Sequence, residues 1–362
     1  MTLLSVWVLN VGQGDSIVVR FPDGTWGVVD SNVPPGEQEP PALAFLRENG
    51  VTELAFVCLT HPHYDHYLGL QRILESYAGR VTEFWAFNID SAHVRKFMEV
   101  QHSKNATTLA GQARYSELQA VFRTFRRMEK AGAARRLVGG YKLPRRGVVE
   151  IDCLSPLSQD INEYQTQLAR SDPPEAYRAD ENLLSAVLSL RYGSSRIVLS
   201  SDAPTKAWPR MWKEATKRKE DFRAVAVKVS HHGSKQGFHE EVWKHTLSDG
   251  TTHAAISAGV GYGHPHPRVI ESLYNMGASL HCTNFPEYCL RRRPADLSKF
   301  EGLPERSKLT LIMLDQSNNA PLQPCNGNIR FDLDGNGGYV VGHDIDSFCP
   351  LHLPTGQHRP NH

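Results

Sequence analysis

The chain has 362 residues, 40% hydrophobic and 22% charged, with a formal net charge of +1. That length and balance suit a folded protein with a sizeable core and exclude an extended, self-repelling chain. The near-zero charge excludes a uniformly polycationic surface, so any polyanion site must be a local patch.

No apolar run reaches the roughly 18 residues expected of a membrane-spanning helix. The opening MTLLSVWVLNVGQGDS has neither a basic leader nor a small-residue cleavage site. Six cysteines are scattered without a C-x-x-C pair. A cytoplasmic protein with reduced thiols and no membrane partner is therefore expected.

In chain order, LLSVWVL alternates like a strand, SIVVRF follows a Gly-rich turn, and PDG leads as a hairpin into TWGVVD. PALAFLRENGV has helical spacing and stops on a glycine. LAFVCL reads as a short buried strand, GLQRILESYAG as a helix and EFWAFNI as a strand. From about Asn105 to Lys130 a long helical pattern sets Leu118, Phe122, Phe125 and Met128 on one face. Strands return with GVVEIDCLSP, LSAVLSLRYG and SRIVLSSD, then a helix around TKAWPRMWKEAT that Pro209 is expected to interrupt. AVAVKVS and THAAISAG are strands, RVIESLYNMG a helix and LTLIMLD a strand. GNIRFDLDGNGGYVV is a hairpin and not a calcium loop, because the twelfth loop position is His343 where glutamate is needed. Two blocks of strands mixed with helices predict a layered α/β sandwich.

The loop after LAFVCL carries the chemistry. THPHYDH places His61, His63, Asp65 and His66 within six positions, at a strand end where open α/β sheets put their sites. In extended backbone His61 and His63 share one side. Asp65 and His66 begin the next helix and can turn to a second point. Imidazoles with a carboxylate suit zinc, with manganese or iron as alternatives. A polar capping loop with Asp65 as N-cap is the plain alternative, but three histidines are a costly way to build a cap.

THPHYDH resembles the H-x-H-x-D-H signature of the metallo-β-lactamase fold superfamily. VWVLNVGQGDSIVVRFPDGTWGVVDSN is similar to the opening of that fold, with Asp30 at its acidic position. ENLLSAVLSLRYGSSRIVLSSDA is similar to the segment ending in the metal-bridging aspartate, here Asp202. VKVSHHGSKQGF and ISAGVGYGHPHPRVIESL resemble, more specifically, the soluble hydrolase domain of the DNA-uptake competence channel family and related phosphorylcholine esterases. GNIRFDLDGNG resembles that domain's closing hairpin.

The resemblance implies an α/β protein with a four-layer αββα sandwich, standing alone without the channel. One domain would span 1–342, with a basic helical insertion at about 100–146, a second insertion at about 286–320 and a tail over 343–362. It implies that His61 and His63 hold one metal, Asp65 and His66 the other, that Asp202 bridges, and that His231 or His232 completes the second site. By analogy with the esterases His232 is favoured and His231 lies beside it. Asp30 would orient a ligand histidine. Many members carry a further histidine between the first motif and the bridging aspartate. Here only His93 and His102 fall in that interval, and ENLL occupies the approximate place. The first metal site is therefore expected to be short of one protein ligand.

His264 and His266 in GHPHP sit in backbone held extended by prolines. One of them is expected to contact a substrate phosphate or protonate a leaving group, with Asp65 or Asp202 taking the proton of the attacking water. The segment from Lys104 to Arg146 carries +9 and the rest of the chain −8. Arg123, Arg126, Arg127 and Lys130 on its helix are candidate nucleic-acid contacts, to which Arg291–Arg293 would add, although a docked surface helix is the plain reading. One or two zinc ions, or manganese, are the expected cofactor, and hydrolysis of a phosphodiester, preferably in nucleic acid, the expected reaction. The competing readings are a hydrolase of a lactone, thioester, phosphorylcholine ester or cyclic nucleotide, and a non-catalytic scaffold.

Overall fold

The structure is a computed structural model and describes residues 2–247, 252–259, 263–284 and 327–343. In its first half β1 (Leu4–Val8), β2 (Ile17–Arg20), β3 (Trp26–Val29), β4 (Leu54–Leu59), β5 (Val81–Phe87) and β6 (Ala134–Leu137) alternate with α1 (Pro41–Glu48), α2 (Tyr64–Tyr67), α3 (Leu70–Ser76), α4 (Ser91–Asn105) and α5 (Leu109–Lys130). The second half runs β7 (Lys142–Arg146), β8 (Val149–Ser155), α6 (Ser158–Ala169), β9 (Val187–Tyr192), β10 (Ser195–Leu199), α7 (Ala207–Lys217), β11 (Ala226–Lys228), α8 (Glu240–Thr246), β12 (His253–Ile256), α9 (Pro267–Asn275) and β13 (Ser279–Cys282). The hairpin β14 (Ile329–Leu333) and β15 (Tyr339–His343) closes the described chain.

Two sheets result. One has the order β15-β14-β1-β2-β3-β4-β5-β6 and the other β13-β12-β11-β10-β9-β8-β7. In β2, Ile17 and Val19 enter the core between the sheets while Val18 faces the helices outside. In β10, Ile197 and Leu199 face inward and Val198 outward. Both of these strands are thus buried on both faces, which is why their segments read as continuous apolar runs. Three apolar clusters separate four layers. Helices α1, α3, α4 and α5 pack outside the first sheet, the two sheets pack on each other, and α7, α8 and α9 cover the second. Each fully buried Val, Leu or Phe contributes about 1.5–3 kcal/mol, so the inter-sheet layer sets the alignment of the two halves. At its centre the Phe56 and Trp85 rings stack with centroids 3.9 Å apart. Gly27 makes room for Phe56, since a Cβ there would overlap the ring.

The four-layer αββα expectation agrees with this architecture. Several elements differ from the sequence reading. The basic segment expected as a helical insertion over about 100–146 is helical only to Lys130; β6 and β7 then form one edge of each sheet. Helices α4, α6 and α8 have no counterpart among the elements read from the sequence. In α6 two of five inward residues, Asp160 and Gln165, are polar, so its apolar stripe is thin. Pro209 does not interrupt α7. It sits in the first turn, where the backbone N–H groups have no intrahelical partner. The segment LTLIMLD, expected as a strand, the insertion expected at about 286–320, Arg291–Arg293 and the tail beyond His343 lie outside the described residues. Among the described residues no helix is long and apolar enough to cross a membrane.

Candidate metal centre

The strands β3, β4, β10 and β11 end at one rim of the sandwich, and the loops that follow them carry the site. Strands β3 and β4 are parallel, as are β10 and β11, so their C-terminal ends point the same way. Asp30 follows β3, the His61–His66 loop follows β4, Asp202 follows β10, and His231 and His232 follow β11. Asp30, Ser201, His231 and His232 all adopt positive φ. Non-glycine residues accept such strain where the surroundings over-determine it, and here it turns the chain sharply into the rim after β3, β10 and β11. Gly14 serves the same loop: at φ +133° a Cβ would lie 2.5 Å from the Asp65 carbonyl oxygen and 2.6 Å from the Asn32 amide nitrogen. The Asp15 N–H then donates to the Asp65 carbonyl at 3.1 Å, pinning the β1–β2 loop to the histidine loop.

Asp65 is not an N-cap. His63 holds the cap position of α2 with extended backbone and no side-chain capping bond, and Asp65 lies inside the first turn. Its carboxylate is therefore free to face inward, 3.5 Å from His232 Nε2. Asp202 Oδ1 stands 3.5 Å from both His66 Nε2 and His232 Nε2. These contacts are too long for hydrogen bonds, and His66 Nε2, both His232 nitrogens and Asp202 Oδ1 are buried with no hydrogen-bond partner. Buried polar atoms are rarely left this way. Ligands 2.0–2.1 Å from a tetrahedral zinc stand roughly 3.3 Å from one another. The unpartnered atoms thus have the spacing a cation requires, and the donor types fit zinc or a similar ion.

One ligand atom each from Asp65, His66 and His232, and likewise from His61, His66 and Asp202, lies within 4.8 Å of the others. Asp15, Asp30 and His66 form a third such group, but the Asp30 carboxylate there is committed. Asp30 accepts from the Thr60 N–H at 2.8 Å and the Thr60 hydroxyl at 2.6 Å, and Asp30 Oδ2 lies 2.7 Å from His66 Nδ1. Asp15 is ion-paired with Lys228. With Nδ1 donating to Asp30, the lone pair of a neutral His66 ring would sit on Nε2, toward Asp65, Asp202 and His232.

The His61–His63 half is arranged differently. His61 Nε2 lies 3.0 Å from His63 Nδ1 and 3.9 Å from Asp202 Oδ2. His63 Nε2 faces away, 3.0 Å from the Glu181 carboxylate. His231 Nε2 is 3.7 Å from Asp202 Oδ2 and remains partly exposed, whereas His232 is sealed within the cluster. His264 packs its ring 5.6 Å from that of His231 at the edge of the site. His266 is used locally, its Nδ1 accepting the Arg268 N–H at 3.1 Å as the N-cap of α9.

Charge shapes the cluster. Burial lowers the pKa of His61, and the neighbouring His66 and His63 lower it further. Burial also opposes protonation of His66, but Asp202 and Asp30 outweigh it and raise His66 well above its ordinary value. Burial raises the Asp65 carboxyl, yet His232 and His66 more than compensate and bring it to about 2. Asp202 is held below the usual carboxylate range, because His232, His66 and His231 overcome its burial.

Residues matching the family description "Metallo-beta-lactamase superfamily" run from 9 to 83, the stretch that carries Asp15, Asp30 and the histidine loop. Over that stretch the chain is similar to the metallo-β-lactamase superfamily. No curated protein matches it in sequence. Among solved structures, the metallo-β-lactamase fold protein YhfI from Bacillus subtilis aligns over 77% of this chain and 95% of its own, at 11% identity and TM-score 0.43. Zinc-bound PqqB from Methylobacterium extorquens aligns over 76% and 97%, at 9% identity and TM-score 0.41. The short form of human tRNase Z aligns over 61% and 76%, at 12% identity and TM-score 0.32.

Four residues near the centre escape a reading based on the superfamily signature. Asp15 and Lys228 form a buried ion pair beneath it, with Lys228 Nζ 3.9 Å from Asp202 Oδ1. Glu181, in the ENLL turn, reaches His63 and also pairs with Lys104 at 3.0 Å. The Arg114 guanidinium lies over the Tyr64 ring, 3.8 Å from its centroid, beside the signature loop. A sequence signal exists for Lys228, the single charge within the apolar strand AVAVKVS, and for Asp15, an acid in a Gly-rich turn between two buried strands. The nucleic-acid candidates Arg123, Arg126, Arg127 and Lys130 are exposed on the C-terminal half of α5. They begin about 14 Å along the helix from Arg114, at 1.5 Å per residue.

Proposed function

We propose that the protein is a metal-dependent hydrolase of phosphodiesters, with nucleic acid as the preferred substrate. The observation that carries the reading is the convergence of Asp65, His66, His232 and Asp202 at 3.5 Å spacings with buried, unpartnered nitrogen and oxygen atoms. Asp65, His66 and His232 would hold one cation, His61 and His63 the other, with Asp202 between them. Zinc or manganese bound there would supply water acidified to near neutrality and withdraw charge from a phosphoryl oxygen.

The chain's own groups would do the rest. Asp65 and Asp202 stay ionised and can accept the proton of the attacking water. His264 has its pKa lowered by burial and by the nearby His231 and His232. A neutral imidazole donates one N–H, which suits contact with a phosphoryl oxygen better than protonation of a leaving group. His266, committed to capping α9, would serve only to seat His264. The likeness of VKVSHHGSKQGF and GYGHPHP to competence-channel hydrolase domains supports a phosphodiester over a carbonyl substrate, as does the local +9 charge. A small phosphodiester bound at the cluster alone is a second reading, since Arg123, Arg126, Arg127 and Lys130 lie toward the opposite end of α5 from Arg114, which sits over Tyr64.

The test is Asp202→Asn, which keeps size but removes the charge that would hold two cations together. Turnover of a small chromogenic phosphodiester should fall by several orders of magnitude, with bound zinc reduced. Full activity in that variant would place the chemistry elsewhere.

A further inference from the structure

Glu181 is almost fully buried, and the polar groups around its carboxylate are donors or cations. His63 Nε2 lies at 3.0 Å, Lys104 Nζ at 3.0 Å, the Tyr177 hydroxyl donates at 3.0 Å, and the Gln101 amide donates as well. A buried carboxylate is costly unless its lone pairs are satisfied, and four partners satisfy it. Gln101 and Lys104 come from α4, and Tyr177 from the turn before the ENLL segment. The carboxylate therefore ties the first helix of the basic segment to the histidine loop.

The consequence for His63 is one of tautomer. An imidazole that donates from Nε2 keeps its lone pair on Nδ1. Nδ1 is the atom that faces His61 and the cluster, at 3.0 Å from His61 Nε2. Histidines that bind metal usually give their other N–H to a carboxylate or carbonyl, and removing that partner typically costs about 10–100-fold in metal affinity. Asp30 has this relation to His66 on the other side of the centre.

We propose that Glu181 is a positioning residue that fixes His63 with its proton on Nε2 and its bare Nδ1 toward the metal centre, and that Lys104 braces Glu181 for this role. The inference rests on the metal-centre reading above. It explains how the superfamily's further histidine can be absent here. The space beside His63 is filled by a carboxylate that would strengthen an existing ligand. The affinity of the His61–His63 half then depends on α4, outside the signature loop.

The experiment measures Zn²⁺ stoichiometry and affinity of the full chain, by competition with a chelating dye, for the native protein, Glu181→Gln, His63→Ala and the double variant. Glutamine keeps the shape and the bond from Tyr177, and the half-exposed Lys104 ammonium stays solvated, so folding is expected to survive. Glu181→Gln should weaken the more loosely held zinc by about 10–100-fold. In the His63→Ala background the same change should cost nothing further, because coupled residues do not act additively. Lys104→Met, which leaves Glu181 in place, should shift affinity in the same direction by less. Native affinity in Glu181→Gln, or an equal loss with and without His63, would overturn the proposal; the latter is the behaviour of a direct ligand or a general structural role. If the native protein binds no zinc at all, the metal-centre reading itself falls, an outcome distinct from a native protein that binds two ions and a variant that binds them equally well.

Discussion

At the scale of single residues, the centre is a set of imidazoles whose protons and cations compete for the same atoms. In the metal-free protein His66 is held protonated well above its ordinary range, and His63 is raised as well, the Glu181 contact outweighing its burial. A cation requires bare nitrogen. Binding near neutral pH must therefore expel protons, and apparent affinity should be flat above the raised pKa of His66 and fall as pH drops below it, up to about tenfold per unit for each proton displaced. His61, already lowered, contributes nothing to this dependence. Calorimetric titration with Zn²⁺ in buffers of different ionisation enthalpy should show net proton release at pH 7. Heats independent of the buffer would mean that His66 is not displaced from its proton and is not a ligand.

At the scale of elements, α5 has two separable jobs. Leu118, Val121 and Phe125 are buried against the first sheet, which is reason enough for the helix to exist. Its flanks carry cations that differ in use. Arg114 is committed to Tyr64, and Arg136 in the following strand pairs with Glu129 at 2.7 Å. Arg123, Arg126, Arg127 and Lys130 are exposed and form no ion pair with the described residues. If they guide a polymer, changing all four to Gln should weaken DNA or RNA binding. The slope of log affinity against log salt should flatten by about 0.9 for each duplex phosphate that is no longer neutralised. Hydrolysis of a small chromogenic diester should be unaffected. An unchanged salt slope would leave α5 as a packing helix and favour the small-diester reading.

At the scale of the whole molecule, the centre bridges the two halves of the sandwich. His61, His63, Asp65 and His66 extend from the first sheet, and Asp202 and His232 from the second. A cation held by both sets would crosslink the sheets across the rim in the folded state only. At a free concentration about one hundred times its dissociation constant, such an ion adds about 2.7 kcal/mol of stability. For a chain of this length that corresponds to a melting temperature about 4 °C higher. Chelation should lower the transition by that amount and zinc should restore it, while Asp202→Asn should show a smaller difference between the two conditions. Equal melting temperatures with and without zinc would mean that no ion joins the halves.

The sequence by itself determined the sandwich and the position of its chemistry. Runs such as LAFVCL and SRIVLSSD are apolar on both faces because both faces are covered, and that pattern is local. The signature loop is equally local, since six consecutive positions hold four of the polar groups at the centre. The tertiary structure alone decided which partners meet. Glu181 reaches His63 from 118 residues away in the chain, and Lys228 reaches Asp15 from 213. No periodicity relates such pairs; the stacking of two sheets does. Likewise GHPHP offers two equivalent histidines in sequence, and only the packing of α9 assigns His266 to a cap and leaves His264 beside His231. The edge strands β6 and β7 were illegible for a related reason. Each is short and partly exposed, carrying arginines and a lysine that fit an edge as well as a loop, and only pairing with β5 and β8 makes them strands.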